Sequence, residues 1–255
     1  GWSDRVPAIV KELIIANESE KRAAVVLLAE DDKTTMEDTL RGQIDDFKTT
    51  RLVCRSGSTS SLTDLGLVNV SGARSIVVIG GNDAAVVKTL LALRAVGTGA
   101  QGAPVVAEVN DGETARSIRS LFGERIAIVN SDAVVAELTA QACRQRGLSQ
   151  VFRELLDFDG DEIYFAAFPQ VVGRTYAEAQ MAFDTSSLMG VLTAAGELHL
   201  NPSPETVIAV GDELVAVAAD DSTFVFSGIK EPSRQLVPVA ADADAGSRRM
   251  VLVGW

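Results

Sequence analysis

A single histidine, His199, is all the imidazole this 255-residue sequence has, and it stands in a strand-like stretch just before a proline turn. With no second histidine, a histidine metal triad cannot be assembled, and a Ser-His-Asp relay could be built only around that one position, where His199 reads better as a structural residue. Cysteine is equally scarce. Cys54 and Cys143 sit in apolar stretches far apart in sequence, which predicts two buried thiols rather than a disulfide. No run approaches the roughly 18 apolar residues a membrane span needs, and the first residues lack the charged-apolar-small order of a signal peptide. Basic residues are outnumbered 35 to 23, a net charge of −12, which argues against a nucleic-acid partner held through its phosphates.

What is present is apolar and regularly spaced. Hydrophobic residues make up 47% of the chain, enough for a well-buried core. Val6, Ile9, Val10, Leu13 and Ile14 fall at helical spacing over residues 6–16, with Ser3 or Asp4 available to cap the helix and Pro7 in its first turn. Residues 23–29 (AAVVLLA) form a continuous apolar run of strand length, as a parallel strand covered on both faces requires, and they end at Glu30, Asp31 and Asp32. Strand and helix then alternate. Strands are predicted at 51–54, 75–79, 105–109 and 126–129, and helices at 36–44, 61–67, 84–96, 114–122 and 132–146. This alternation defines an α/β fold, a Rossmann-like doubly wound parallel sheet over residues 1–147.

After Gly147 the pattern changes. An acidic turn at 157–162, strands at 163–168, 188–193, 197–200 and 213–218, and a short helix opened by Gly173-Arg174-Thr175 describe a small α+β lobe over residues 148–228. Residues 229–249 read as a Pro-, Ala- and Asp-rich linker. The last residues, 248–255 (RRMVLVGW), read as a short strand running into Gly254-Trp255, and the chain opens with the same dipeptide, Gly1-Trp2. A chain cut from the first turn of one repeat to the first turn of the next would read this way. The expectation is that residues 250–253 form a parallel strand beside residues 23–29.

These residues carry a family resemblance. Gly1-Trp2-Ser3-Asp4, Ala16-Asn17-Glu18-Ser19, Cys54-Arg55-Ser56-Gly57-Ser58, Ala73-Arg74-Ser75-Ile76-Val77-Val78 and Gly147-Leu148 resemble the CASTOR/POLLUX ion-channel family. The smaller lobe, with Gly173-Arg174-Thr175, Asn201-Pro202-Ser203-Pro204 and Gly211-Asp212-Glu213, resembles the TrkA-C-like lobe of an RCK (regulator of potassium conductance) unit. The resemblance implies a cytosolic gating-ring unit of a tetrameric cation channel. It also implies assembly as a homo-oligomer beside an adjacent RCK repeat and a pore domain.

The candidate ligand site lies at the carboxyl edge of the sheet. A dinucleotide fingerprint GxGxxG would need glycine where this chain has Ser3 and Val6, which disfavours NAD and leaves an NAD-binding TrkA-like regulator or oxidoreductase as the alternative function. Ser3, Asp4, Glu30, Asp31, Arg55, Ser56 and Ser58 are the candidate ligand-binding residues. Arg55 either meets an anion or pairs with Glu30 or Asp31 while the serines cap the next helix. Asp157, Asp159, Asp161 and Glu162, around Gly160, are the densest carboxylate cluster and the candidate calcium site, although they lack EF-hand spacing. No catalytic residue is expected.

Overall fold

The computed structural model describes residues 1–97 and 103–230. It falls into two units, Gly1–Glu162 and the remainder from Ile163. The first unit opens with α1 (Val6–Ala16), whose apolar stripe buries Val6, Val10 and Ile14. Neither Ser3 nor Asp4 caps it. Arg5 takes the cap position without a side-chain bond, and Ser3 contributes its carbonyl to the Val6 N–H instead. There follow β1 (Ala23–Ala29), α2 (Lys33–Gln43), β2 (Thr50–Ser56), α3 (Leu62–Leu67), β3 (Ile76–Val78), α4 (Asp83–Val96), β4 (Val105–Val109), α5 (Gly112–Phe122), β5 (Ile126–Asn130), α6 (Ser131–Arg144) and α7 (Leu148–Leu156).

Helix starts follow the side chains that can satisfy free N–H groups. Asp32, Ser61, Asn82, Asp111 and Asn130 each accept a bond from the backbone N–H three residues on. All described strand pairings of the first unit are parallel. They form two separate sheets, β1 with β2, and β3-β4-β5, with no described strand joining β1 to β3. The helices cover both faces. Val6, Val10 and Ile14 of α1 and Met36 and Leu40 of α2 pack on Ala29 and Cys54, and Ile79 beyond β3 belongs to that same core. On the opposite face Leu65 of α3, Leu90 and Leu93 of α4 and Ile118 of α5 pack on β3, β4 and β5, joined by Leu28 of β1. Each core therefore takes residues from both sheets, which makes the assembly one doubly wound layer structure of Rossmann type.

Three expectations are corrected. The second strand extends through Arg55 and Ser56, so these residues lie in the sheet edge rather than in the loop beyond it. Cys143 is exposed on α6, while Cys54 is buried and burial raises its thiol pKa. The compact first unit runs on past residue 147 to Glu162, because α7 follows α6 and packs with it.

The second unit is built on β6 (Glu162–Ala166), β7 (Ser186–Leu192), β8 (Leu198–Leu200) and β9 (Glu213–Ala218), in spatial order β6-β9-β7-β8. Antiparallel pairing of β7 with β8 and with β9 gives the sheet one face for a core. Val191, Leu214, Ala216 and Ala218 pack there against Tyr176 and Ala179 of the short helix α8 (Tyr176–Gln180). Phe168, Phe183 and Phe224 close it, with ring centroids 4.8 to 5.3 Å apart. Thr175 and Glu178 form a reciprocal capping box at the start of α8. The linker expected over residues 229–249 and the terminal strand expected at 250–253 lie, from residue 231 on, outside the described residues.

Candidate functional site

The turn before α1 and the turn after β3 meet backbone to backbone. A Cβ on Gly80 would stand 2.4 Å from the Trp2 carbonyl oxygen, and one on Gly1 2.5 Å from that of Ile79. Gly80 also has φ +85°, so glycine is required there on two separate grounds. Crossing at this point leaves a small crevice of about 250 Å³ at the carboxyl edge, lined by Ser3, Asp4, Arg5, Gly80, Asp83 and Glu108 among others. In open α/β sheets the crevice where helices change faces is where ligands bind.

Its polar groups are strongly tied down. Asp83, in the first turn of α4, accepts from the N–H groups of Asn110 and Asp111 at 3.1 and 2.8 Å, and from the Asn110 side chain at 3.3 Å. Glu108 projects from β4, forms an ion pair with Arg5, and stands 2.9 Å from the Ser131 hydroxyl. That hydroxyl also has the Asn110 amide oxygen within 3.1 Å, yet it carries one proton, so Glu108 and Asn110 compete for it. The Ser3 hydroxyl oxygen is buried without a partner among the described residues. A buried hydroxyl left unsatisfied costs about 1 to 3 kcal/mol, so a polar ligand reaching Ser3 would recover that cost. Asp4, Asp83 and Glu108 outnumber Arg5, which makes the crevice a poor seat for a pyrophosphate and a better one for a neutral or cationic ligand.

The structure divides the residues that sequence reasoning grouped together. Ser3 and Asp4 line the crevice. Glu30, Asp31, Arg55, Ser56 and Ser58 sit instead where β1 and β2 end, and their recorded bonds are local. The Ser56 hydroxyl donates to the Asp31 carbonyl at 2.8 Å, and the Arg55 guanidinium to the Cys54 carbonyl at 3.1 Å. The Ser58 N–H donates to the Asp64 carboxylate at 2.9 Å.

The acidic turn does not gather into a cation site. Among the described residues no group of three or more carboxylate, cysteine or histidine side chains comes together to hold a metal. Around Gly160 the carboxylate of Asp157 accepts from the Asp159 N–H at 3.0 Å, and that of Glu12 on α1 from the Phe158 N–H at 3.3 Å. These carboxylates brace a turn. Arg5, Asp83, Glu108, Asn110 and Ser131 were missed as site residues. Glu108 carried a readable signal, a charge inside the otherwise apolar strand VVAEV, where a buried carboxylate needs a partner.

The fold and crevice define a Rossmann-type α/β unit with a ligand-sized opening at its switch point, followed by a small α+β unit. The chain is similar to the Castor and Pollux ion channels along its whole length. A family model described as "Castor and Pollux, part of voltage-gated ion channel" matches residues 132–233. The protein named "Probable ion channel POLLUX" of Arabidopsis thaliana is 34% identical over 262 residues, covering all of this chain and 32% of that protein. The "Ion channel CASTOR" of Lotus japonicus is 32% identical over 263 residues, again covering all of this chain and 31% of its own. The chain thus spans about a third of the length of these relatives. The structure titled "GsuK channel bound to NAD" is 16% identical, covering 80% of this chain and 38% of that one. Its TM-score of 0.35 is too low to carry an argument.

Proposed function

We propose that this chain is the ligand-sensing RCK unit of a cation channel's cytosolic gating ring, coupling ligand binding in the switch-point crevice to the gating of a pore elsewhere in a longer parent. The observation that carries this reading is the crevice itself. It holds a braced set of polar groups and a Ser3 hydroxyl that is unpartnered among the described residues. The relatives' names, which describe ion channels, support this reading. No helix among the described residues is long and apolar enough to cross a membrane, which fits a regulatory unit outside the bilayer. A ligand bound between the α1 turn and the β3 and β4 ends bridges two layers of the sheet, so its binding energy biases how α1 sits on them.

The unit works as an oligomer. Val134 and Val135 of α6, and Val151 and Leu156 of α7, are exposed, with Val135 at 61% and Leu156 at 69%, and neither helix buries a residue against the described residues. An unpartnered apolar face of this kind fits a second copy.

Calorimetric titration with calcium, NAD and ATP, alongside light scattering, tests the reading. Neither NAD nor ATP is expected to bind this acidic crevice tightly, and Asp83→Asn together with Glu108→Gln, which lowers its negative charge, is expected to strengthen rather than weaken the heat from either anion. Tight binding of NAD would instead favour an NAD-dependent TrkA-like regulator or oxidoreductase. A monomer at tens of micromolar, unchanged by Val135→Asp, would overturn the oligomer.

A further inference from the structure

Arg5 and Ser131 meet on one oxygen atom. The register of β4 with β5 sets Val109 beside Asn130, so Ser131, the first residue of α6, stands next to the end of β4. Its hydroxyl reaches Oε1 of Glu108 at 2.9 Å, and the Arg5 guanidinium, from the turn before α1, pairs with that same oxygen. Asn110 offers the hydroxyl a second acceptor, its amide oxygen at 3.1 Å. That amide is held in turn, because its nitrogen donates to Asp83 Oδ1 at 3.3 Å. One proton thus faces two acceptors tied to different parts of the crevice, Glu108 with Arg5 and Asn110 with Asp83.

The balance between them depends on Arg5. The Glu108 side chain is 16% exposed, so its charge needs a donor close by, whereas that of Arg5 is 56% exposed and can swing into water with little loss of packing. While the guanidinium sits on Oε1, much of the carboxylate's charge is already engaged. Once it leaves, the Ser131 hydroxyl faces a bare carboxylate, and hydrogen bonds to an ionised acceptor are about twice as strong as those between neutral groups. The proton then goes from Asn110 to Glu108.

We propose that the Ser131 hydroxyl is a latch through which the crevice controls α6. Withdrawal of Arg5 ties the first turn of the helix to β4, and a cation on Glu108, whether Arg5 or a ligand in its place, releases that turn toward Asn110. The proposal rests on the reading of the crevice as a ligand site. Val134 and Val135 follow Ser131 by three and four residues, so they are its neighbours on the helix surface, and both are exposed. The latch therefore carries crevice occupancy to the apolar face assigned above to a second copy.

Hydrogen exchange read by mass spectrometry on the full chain, arranged as a double-mutant cycle, tests this. Arg5→Met removes the cation and keeps a stem of similar length; Ser131→Ala removes the hydroxyl. With Ser131 in place, Arg5→Met is expected to slow exchange of the amides of residues 133–138 at least about threefold, and in a Ser131→Ala background it is expected not to slow it. Ser131→Thr, which keeps a hydroxyl, should restore the slowing. Unchanged or faster exchange in Arg5→Met overturns the proposal, as does a slowing that survives Ser131→Ala. No ligand is added, so the result stands apart from the titration above: a crevice that binds nothing leaves the cycle readable, and a failed cycle removes the latch without touching ligand binding.

Discussion

Replacing Gly80 by alanine tests whether the turn before α1 is seated on the end of β3. An alanine there must hold φ near +85°, which costs an L-residue about 1 to 2 kcal/mol. Its Cβ must also displace the Trp2 backbone, which lies 2.4 to 3.1 Å away, and forcing atoms into a packed site costs about 1 to 3 kcal/mol more. Gly97 is the matched control. Its φ is +89° but among the described residues a Cβ there meets nothing within 4 Å, so Gly97→Ala carries the dihedral cost alone. The expected losses are about 2 to 5 kcal/mol at Gly80 and about 1 to 2 at Gly97. Urea unfolding followed by fluorescence in a Trp255→Phe background reads this, because Trp2 packs beside the core under α1 and is then the sole tryptophan. A Gly80→Ala loss within about 0.5 kcal/mol of the Gly97→Ala loss would refute the close approach and the crevice geometry built on it.

Two further outcomes follow from single side chains. Cys143 is exposed and Cys54 buried, so a thiol reagent should modify one cysteine in the native protein and the second only on unfolding; two fast thiols would show that the β2 core is open. In the second unit, Thr175→Ala removes the cap of α8 and should cost about 1 kcal/mol in denaturant melts. The backbone N–H of Thr175 holds the Glu178 carboxyl below its ordinary 4.5. The stability this contributes is present above pH 4.5 and is lost as pH falls through the depressed value, and a Glu178→Gln variant with an unchanged acid melt would refute that assignment.

The sequence by itself determined the order and kind of nearly every described element, because each is written in a local period. Val6 to Ile14 recur at helical spacing, residues 23–29 are continuously apolar, and the cap residues Asp32, Ser61, Asn82 and Asp111 stand where helices begin. The expected change after Gly147 did not anticipate that the first unit runs on to Glu162, since an amphipathic helix such as α7 does not say which neighbour it will face. The family was legible for a related reason: short motifs spread along the chain are each local. The site was not. Arg5 meets Glu108, and Asp83 meets Asn110 and Asp111, only because β3 and β4 lie side by side and the Gly1-Trp2 turn crosses Gly80. No spacing encodes those distances. For the same reason the Arg55 guanidinium, at the end of β2, donates to the Cys54 carbonyl rather than to Asp31, whose backbone carbonyl accepts from the Ser56 hydroxyl. A period assigns a residue to a face, but only the stacking of strands and helices decides which charge it meets there.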